Sequence, residues 1–462
     1  MNSNELKLYN TLSREKEVFS PLNPEEVRMY TCGPTVYDYV HLGNLRAYVF
    51  PDVLRRMLEY AGLQVKQEMN LTDVGHLTSD ADSGEDKMTK GLLREGKALT
   101  LENMRKLADF YAEKFKEDAK NLNVKLPLVL RFASDYIKED VELVKKLEEK
   151  GYIYKTGDGI YFNTSKMPDY GTLWGGKRDA DKSQARIAEN PEKKNQKDFA
   201  LWKFNSKIGF PSPWGKGFPG WHVECSAMSM KFLGEQFDIH TGGIDLIPTH
   251  HTNEIAQSEC ATGKSPFVRV WLHSEHVDVG GERMAKSGGN FLKLGSLIEK
   301  GINPLAYRFW LLMAHYRTKM NFNWEALEGA ENALKRLYKL YIELGEASGT
   351  IDLKYQETFR KHVFDDLDTP GGLTVLWDLL KDEKVSNLDK KATVLDFDKV
   401  LGLGFADLKE EIVPEKVMKL VEERERARKG KDWKRSDEIR KRANDLGYNI
   451  EDTSSGPKVS KI

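Results

Sequence analysis

A short strand-like run, Val27-Arg28-Met29-Tyr30, is broken by Cys32-Gly33-Pro34 and followed by a long helical pattern and a second extended run. This succession constrains the fold more than any other part of the chain. Leu45, Val49, Val53, Leu54, Met57, Leu58 and Ala61 recur at helical spacing until Gly62 stops the helix, and Gln64 to Leu71 then resumes an extended pattern. Strand, helix and strand in this order predict a βαβ unit of a parallel, Rossmann-type nucleotide-binding sheet within an α/β protein. Ligands of such sheets sit beyond the carboxyl ends of the strands, where Cys32 and Gly33 fall.

The rest of the chain must supply the other strands. With 462 residues, 40% of them hydrophobic, it can build several cores, so about three or four domains are expected. Three cysteines are too few for a disulfide framework and fit a reducing, cytoplasmic setting in which thiols stay free for metal or chemistry. The first residues mix acids with bases around no apolar core, so no leader is expected, and no apolar run is long enough to cross a bilayer. Net charge is −1, so any contact with a polyanion has to come from a local basic surface.

The predicted helix is entered through His41-Leu42-Gly43-Asn44. A helix N-terminus offers unpaired N–H groups and a partial positive charge, which suits phosphate; Gly43 permits close approach and His41 adds a donor. Far downstream, Gly280-Gly281-Glu282-Arg283-Met284-Ala285-Lys286-Ser287-Gly288-Gly289-Asn290 sets a basic, hydroxyl-bearing core between two glycine pairs. A loop of this kind can close over a leaving pyrophosphate through Lys286. The two motifs in this order resemble those of the class I aminoacyl-tRNA synthetases, which activate an amino acid on ATP and pass it to tRNA. Asn44 stands where a second histidine is commoner, and Arg283 and Ala285 replace the usual first Lys and first Ser of the loop. By that resemblance His41, Asn44 and Lys286 are catalytic, and Gly33, His41, Gly43, Asn44, Arg283, Met284, Lys286 and Ser287 contact ATP, which brings Mg²⁺.

A second set of residues addresses which substrate is activated. In Pro248-Thr249-His250-His251-Thr252-Asn253-Glu254 a helix pattern begins, placing His250 and Glu254 on one face, with His251 expected to point elsewhere. With Cys32 and Cys225 they offer two sulfurs, a nitrogen and an oxygen, a donor set that suits Zn²⁺ better than Mg²⁺ or Ca²⁺. Cys260 is assigned to packing. Six of the ten histidines fall between 222 and 276, which favours a site in this half of the chain.

Here the resemblance narrows. Thr31-Cys32-Gly33-Pro34-Thr35-Val36-Tyr37-Asp38, Gly220-Trp221-His222-Val223-Glu224-Cys225-Ser226-Ala227-Met228, Phe237-Asp238-Ile239-His240 and His250-His251-Thr252-Asn253-Glu254 resemble the signatures of the cysteinyl-tRNA synthetase family. The similarity runs in the same order from near residue 5 almost to the end. It implies one zinc ion on Cys32, Cys225, His250 and Glu254, with the substrate thiolate bound to it. It also implies Thr72, Trp221 and His240 at the cysteine and adenylate pocket, with His222 beside them. A shape-only pocket separates serine from cysteine by about 1–3 kcal/mol. Zinc prefers a thiolate to a hydroxyl, so the metal supplies selectivity without an editing domain.

The remaining segments follow the same resemblance. Residues 1–115 and 201–265 are expected to form the catalytic domain. Residues 116–200, with a hairpin at Gly151 to Phe162, are a connective-peptide insertion that returns through Gly175-Gly176-Lys177-Arg178. Residues 266–320 are a stem-contact region that carries the Lys286 loop, and 321–405 form a helical bundle; after the loop, helices are expected at Tyr307 to Tyr316, Trp324 to Leu344, Gln356 to Val363 and Pro370 to Leu380. Residues 406–462 gather basic side chains around Trp433 and resemble the family's anticodon-binding end, with Arg428, Trp433, Asp437 and Asp452 as base contacts. The expected protein is thus a monomeric cysteine–tRNA ligase acting on L-cysteine, ATP and tRNA(Cys). Two alternatives stand beside it: a cysteine–amino-sugar ligase of the mycothiol type, and a non-catalytic, synthetase-like RNA-binding protein.

Overall fold

The computed structural model describes residues 5–76, 86–175, 190–283, 291–345, 349–408, 414–453 and 456–461. Strand β1 (Glu26–Thr31) leads into helix α1 (Leu42–Tyr60) and strand β2 (Gln64–Leu71), the βαβ unit expected from the spacing. Strand β3 (Arg131–Phe132), helix α2 (Trp221–Leu233), strand β4 (Phe237–Gly243), helix α3 (Thr252–Thr262) and strand β5 (Val268–Ser274) complete the layer. The sheet runs β5-β4-β1-β2-β3, and each neighbouring pair is parallel. The chain order reverses direction between β1 and β4, so the carboxyl ends of these two strands flank the crevice where such sheets bind ligands. Cys32 follows β1 there, and Gly242 and Gly243 end β4.

Gly62 adopts φ +88° just past α1, a conformation open to glycine at little strain. The inserted hairpin pairs Ile153–Lys155 with Gly159–Phe162. Its sheet continues antiparallel through Phe199–Phe204 to Gly217–Pro219, past residue 200, around buried Phe162, Phe199, Leu201 and Trp202. Cys260 packs against that core.

Helices Pro304–Leu312, Trp324–Ile342, Leu353–Val363, Thr369–Lys381 and Asn387–Leu401 follow. The first stops at Leu312 instead of reaching Tyr316, because Tyr316 turns inward to stack on Phe50 at 4.5 Å and to donate to Asp366. The last of the five has no counterpart in the sequence expectations. Among the described residues no helix is long and apolar enough to cross a membrane.

Arg308, fully buried, ties α1 to these helices: it pairs with Asp52 at 2.7 Å and donates to the carbonyls of Leu401 and Leu122. Without Arg308 the carbonyls of Leu401 and Leu122 lose a buried donor, while Asp52 keeps Arg56 at 2.9 Å. Arg308→Ala is therefore expected to lose about 2–4 kcal/mol of stability in urea unfolding, and a loss below about 1 kcal/mol would show these contacts to be incidental.

The chain divides into two compact units, residues 1–406 and 407–462. The second contains helices Glu415–Lys429 and Trp433–Asp445 and a hairpin of Tyr448–Thr453 with Gly456–Lys461, closed over Leu420, Val421, Ile439, Ala443 and Ile450.

Candidate active site

Cys32 leaves the end of β1, Cys225 lies on the first turns of α2, and Glu254 lies on the first turn of α3. His250 and His251 occupy a π-helical turn, Ile247–His251, that runs directly into α3. These elements bring the four expected ligands together, with one ligand atom from each within 4.8 Å of all the others. The sulfurs of Cys32 and Cys225 are 4.0 Å apart, Cys32 Sγ is 3.9 Å from Glu254 Oε1, and His250 Nε2 is 3.0 Å from the same oxygen. Two thiolates on a tetrahedral zinc, each about 2.3 Å from the ion, lie roughly 3.8 Å apart, so the pair is spaced for a shared ion. His250 Nε2 is buried and makes no hydrogen bond of proper geometry, although it faces Glu254. That is how a ligand nitrogen aimed at a common centre looks.

The charges support the same reading. Burial pushes the Cys225 thiol up, but its hydrogen bond to Cys32 and the charge of His250 outweigh burial and bring it down to about 6. Burial also pushes Cys32 up, and there it prevails with help from Cys225. Glu254 is held at about 2: burial opposes ionisation, and His240 and His250 overcome it. Burial pulls His250 down, but Cys225 and Glu254 prevail and raise it to about 10, so it balances these two negative groups; a dication would take over that role and leave His250 neutral to bind it.

The structure corrects one expectation. His251 does not point elsewhere; its Nε2 lies 3.4 Å from Cys32 Sγ and 4.0 Å from Glu254 Oε1. The i→i+5 turn underwinds the backbone, so consecutive side chains diverge by less than the roughly 100° of an α-helix and both histidines face inward. Cys32, His240, His251 and Glu254 form a second group close enough to share an ion. Only the first group uses both sulfurs, and its Cys225 is the thiol drawn down in pKa. His251 Nε2 then faces Cys32 from outside the first group, at the end of a chain in which its Nδ1 meets His273 Nε2 at 2.7 Å and His273 Nδ1 meets Thr11 Oγ1 at 2.8 Å. His240 Nε2 holds the other oxygen of Glu254 at 3.1 Å, and His222 Nδ1 meets His250 Nδ1 at 3.0 Å. Ligands of zinc are commonly fixed by such outer partners. His251, His273 and Thr11 are missed by spacing rules; the clustering of histidines between 222 and 276 is a trace of the two histidines, and Thr11 leaves none.

Trp221 stacks on His76 with ring centroids 3.9 Å apart and lies 4.2 Å from the His250 ring, covering the cluster. Thr72 is buried and accepts from Asn70 Nδ2 at 3.0 Å, while its backbone pairs with Pro34 and Val36. Gly33 lies against β2: a Cβ there would sit 1.6 Å from Asn70 O, so the residue after Cys32 must be glycine for this strand end to close.

On the other side of the crevice His41 caps α1, its Nδ1 accepting from Asn44 N–H at 3.1 Å. In the neutral ring the proton then sits on Nε2. His41, Gly43 and Asn44 line a narrow cleft with Gly243, Asp245 and Val277. A Cβ on Gly43 would meet the His41 ring and Val277 O within 3.1–3.3 Å, so glycine keeps the cleft open. Val277–Val279 pairs with Glu282–Arg283, and past the glycine-rich loop Leu292 O accepts from Leu42 N–H. The root of that loop is thus fixed at the entry of α1. Met284, Ala285, Lys286 and Ser287, and the side chain of Arg283, lie outside the described residues.

In the second unit Trp433 is 58% exposed, and the Arg428 guanidinium stands 5.8 Å from its ring centroid. Asp452 binds Arg424 at 2.7 Å and Arg428 at 2.6 Å, which fixes Arg428 beside the indole. Asp437 lies 3.9 Å from Arg440.

A Rossmann-type crevice with a helix-capping histidine on one side and a Cys₂HisGlu cluster on the other belongs to a class I tRNA synthetase: residues 18–332 match the family model described as the tRNA synthetases class I (C) catalytic domain. Residues 412–457 match the cysteinyl-tRNA ligase anticodon binding domain. The chain is 45% identical to cysteine–tRNA ligase 1 of Burkholderia lata, over 98% of this chain and 96% of that one. It is 41% identical to the cysteine–tRNA ligase of Treponema denticola (99% and 100% covered) and 40% identical to that of Thermus thermophilus (98% and 98%). The chain therefore belongs to the cysteinyl-tRNA synthetase family. Among solved structures, Mycobacterium tuberculosis methionyl-tRNA synthetase in complex with methionyl-adenylate superposes with a TM-score of 0.57 at 15% identity, over 82% of this chain and 90% of that one, a likeness of fold.

Proposed function

We propose that this protein activates L-cysteine with ATP and transfers it to the 3′ end of tRNA(Cys). The observation that carries the reading is the pair of inward sulfurs 4.0 Å apart, beside His250 and Glu254, across the crevice from the capped helix. Bound on Cys32, Cys225, His250 and Glu254, zinc would supply a site that prefers a thiolate to a hydroxyl. In the first step a carboxylate oxygen of cysteine bonds to the α-phosphorus of Mg²⁺-bound ATP, and the bond to pyrophosphate breaks. His41 donates from Nε2 to the phosphate oxygens on which charge grows, and the positive end of α1 adds to that field. Lys286 and its neighbours Arg283, Met284 and Ser287 are assigned to the departing pyrophosphate by their place in the loop rooted at α1. In the second step a terminal ribose hydroxyl bonds to the cysteinyl carbonyl, the anhydride bond breaks and AMP leaves with the hydroxyl proton.

Trp221 and His240, which contact the cluster, and Thr72, at the end of β2, are assigned to the cysteine pocket. Arg428, Trp433, Asp437 and Asp452 are assigned to the anticodon, with Trp433 as the stacking platform. The match of residues 412–457 to an anticodon-binding model favours tRNA over an amino sugar as acceptor.

The experiment is ATP–pyrophosphate exchange on the purified chain. Cysteine is expected to support exchange and serine to be slower by more than about a hundredfold. His41→Ala should lower the cysteine-dependent rate by about 10²–10³. Exchange with serine and none with cysteine would end this reading.

A further inference from the structure

The chain leaves β2 through Thr72-Asp73-Val74, turns at Gly75 (φ +69°) and brings His76 onto the start of α2. His76 is buried and belongs to neither group of metal-type side chains. Its ring lies against the indole of Trp221, 11° from parallel with centroids 3.9 Å apart. We propose that His76 is a positioning residue for cysteine binding: fixed by Thr35 and Lys87, it holds Trp221 in place over the metal-type cluster. The inference rests on the ligase reading above, which assigns Trp221 to the cysteine pocket.

Trp221 needs such a support. It is the first residue of α2, four before Cys225 and so one turn above that sulfur on the same face, and its ring centroid lies 4.2 Å from that of His250. Side chains of a helix rest on the turn before their own, and the first residue has none. The indole is also only half-buried. Its place over the cluster therefore depends on what packs against the ring from outside α2.

His76 is itself held at both nitrogens. Nδ1 lies 2.5 Å from Thr35 Oγ1, and Nε2 lies 2.5 Å from Lys87 Nζ. An ammonium can only donate, so Nε2 accepts, and the proton of the neutral ring sits on Nδ1 and goes to Thr35 Oγ1. The ring cannot turn about its Cβ–Cγ bond without losing both hydrogen bonds. Lys87 N–H also donates to His76 O at 2.8 Å, and the Lys87 ammonium stands 5.8 Å from the Trp221 ring centroid, within cation–π reach. Thr35 follows Cys32 by three residues and is bridged to Thr72. One imidazole thus joins the segment that carries Cys32, the start of helix Lys87–Arg94 and the start of α2. With its nitrogens engaged by Thr35 and Lys87, His76 acts on the pocket through its face, by way of Trp221.

The test is cysteine-dependent ATP–pyrophosphate exchange in the full chain, with zinc content measured on the same samples. His76→Ala is expected to raise KM for cysteine by about three- to tenfold, the effect of one aromatic pair. Its kcat and its KM for ATP should stay within about twofold of wild type and its zinc content should be unchanged, because a support that is equal in the ground and transition states is read in KM alone. His76→Phe keeps a flat ring against the indole and should restore KM for cysteine to within about twofold of wild type. Lys87→Met, at a partly exposed position, leaves the imidazole held by Thr35 alone and should raise KM for cysteine about threefold. A His76→Phe variant as impaired as His76→Ala would show that the nitrogens act on the substrate and would overturn the proposal. Unchanged KM for cysteine in both His76→Ala and Lys87→Met would overturn it too, as would zinc lost from His76→Ala in step with the rise in KM. A wild-type chain with no cysteine-dependent exchange would instead overturn the ligase reading, and the inference with it.

Discussion

Cys225→Ser is expected to strip the protein of zinc and to reduce its preference for cysteine over serine to the roughly 10–200-fold that a shape-only pocket can give. The substitution is nearly isosteric, so α2 should pack as before, and the circular dichroism spectrum should be unchanged. What it removes is the sulfur that lies 4.0 Å from Cys32 and whose pKa is drawn down to about 6. A neutral serine hydroxyl is a poor substitute for a thiolate toward zinc. Three donors would remain, with Glu254 still held by His240 and Cys32 still facing His251. Metal content by plasma mass spectrometry and exchange rates with each amino acid read the two effects separately. Retained zinc with an unaltered preference would remove Cys225 from the site.

The same cluster marks where the sequence is legible and where it stops. His250 and Glu254 can be paired from spacing alone, since four residues is one helical turn. His251 cannot, because the turn that carries it is π-helical and nothing in Ile247-Pro248-Thr249-His250-His251 announces an underwound backbone. The βαβ unit is legible for a different reason: α1 buries a broad stripe against the sheet, so its periodicity survives in the sequence. Helix Asn387–Leu401 lacks that signature, since it buries Lys390, Thr393 and Asp396 along with Val394, Phe397 and Val400. Its polar residues are kept inside by partners distant in the chain, such as Tyr60 and Gln356 on Asp396.

Ending the chain at Ala406 is expected to leave cysteine-dependent exchange within about twofold of the full protein while lowering kcat/KM for tRNA charging by about a hundredfold or more. Residues 1–406 are a compact unit, and residues 407–462 close over their own core of Leu420, Val421, Ile439, Ala443 and Ile450, so the cut falls at the boundary of the two units. The removed unit holds the exposed Trp433 with Arg428 set beside it by Asp452. Stacking of one base on an aromatic contributes about 1–3 kcal/mol, and loss of the basic helices that flank it removes phosphate contacts as well. The sum corresponds to the expected fall. Trp433→Ala in the full chain should reproduce part of it, about tenfold, with no change in exchange. Charging that survives the truncation would place recognition of tRNA wholly within residues 1–406. Exchange that survives while neither form charges tRNA would point instead to a cysteine ligase with a small amine acceptor, for which a basic, tryptophan-bearing end has no use.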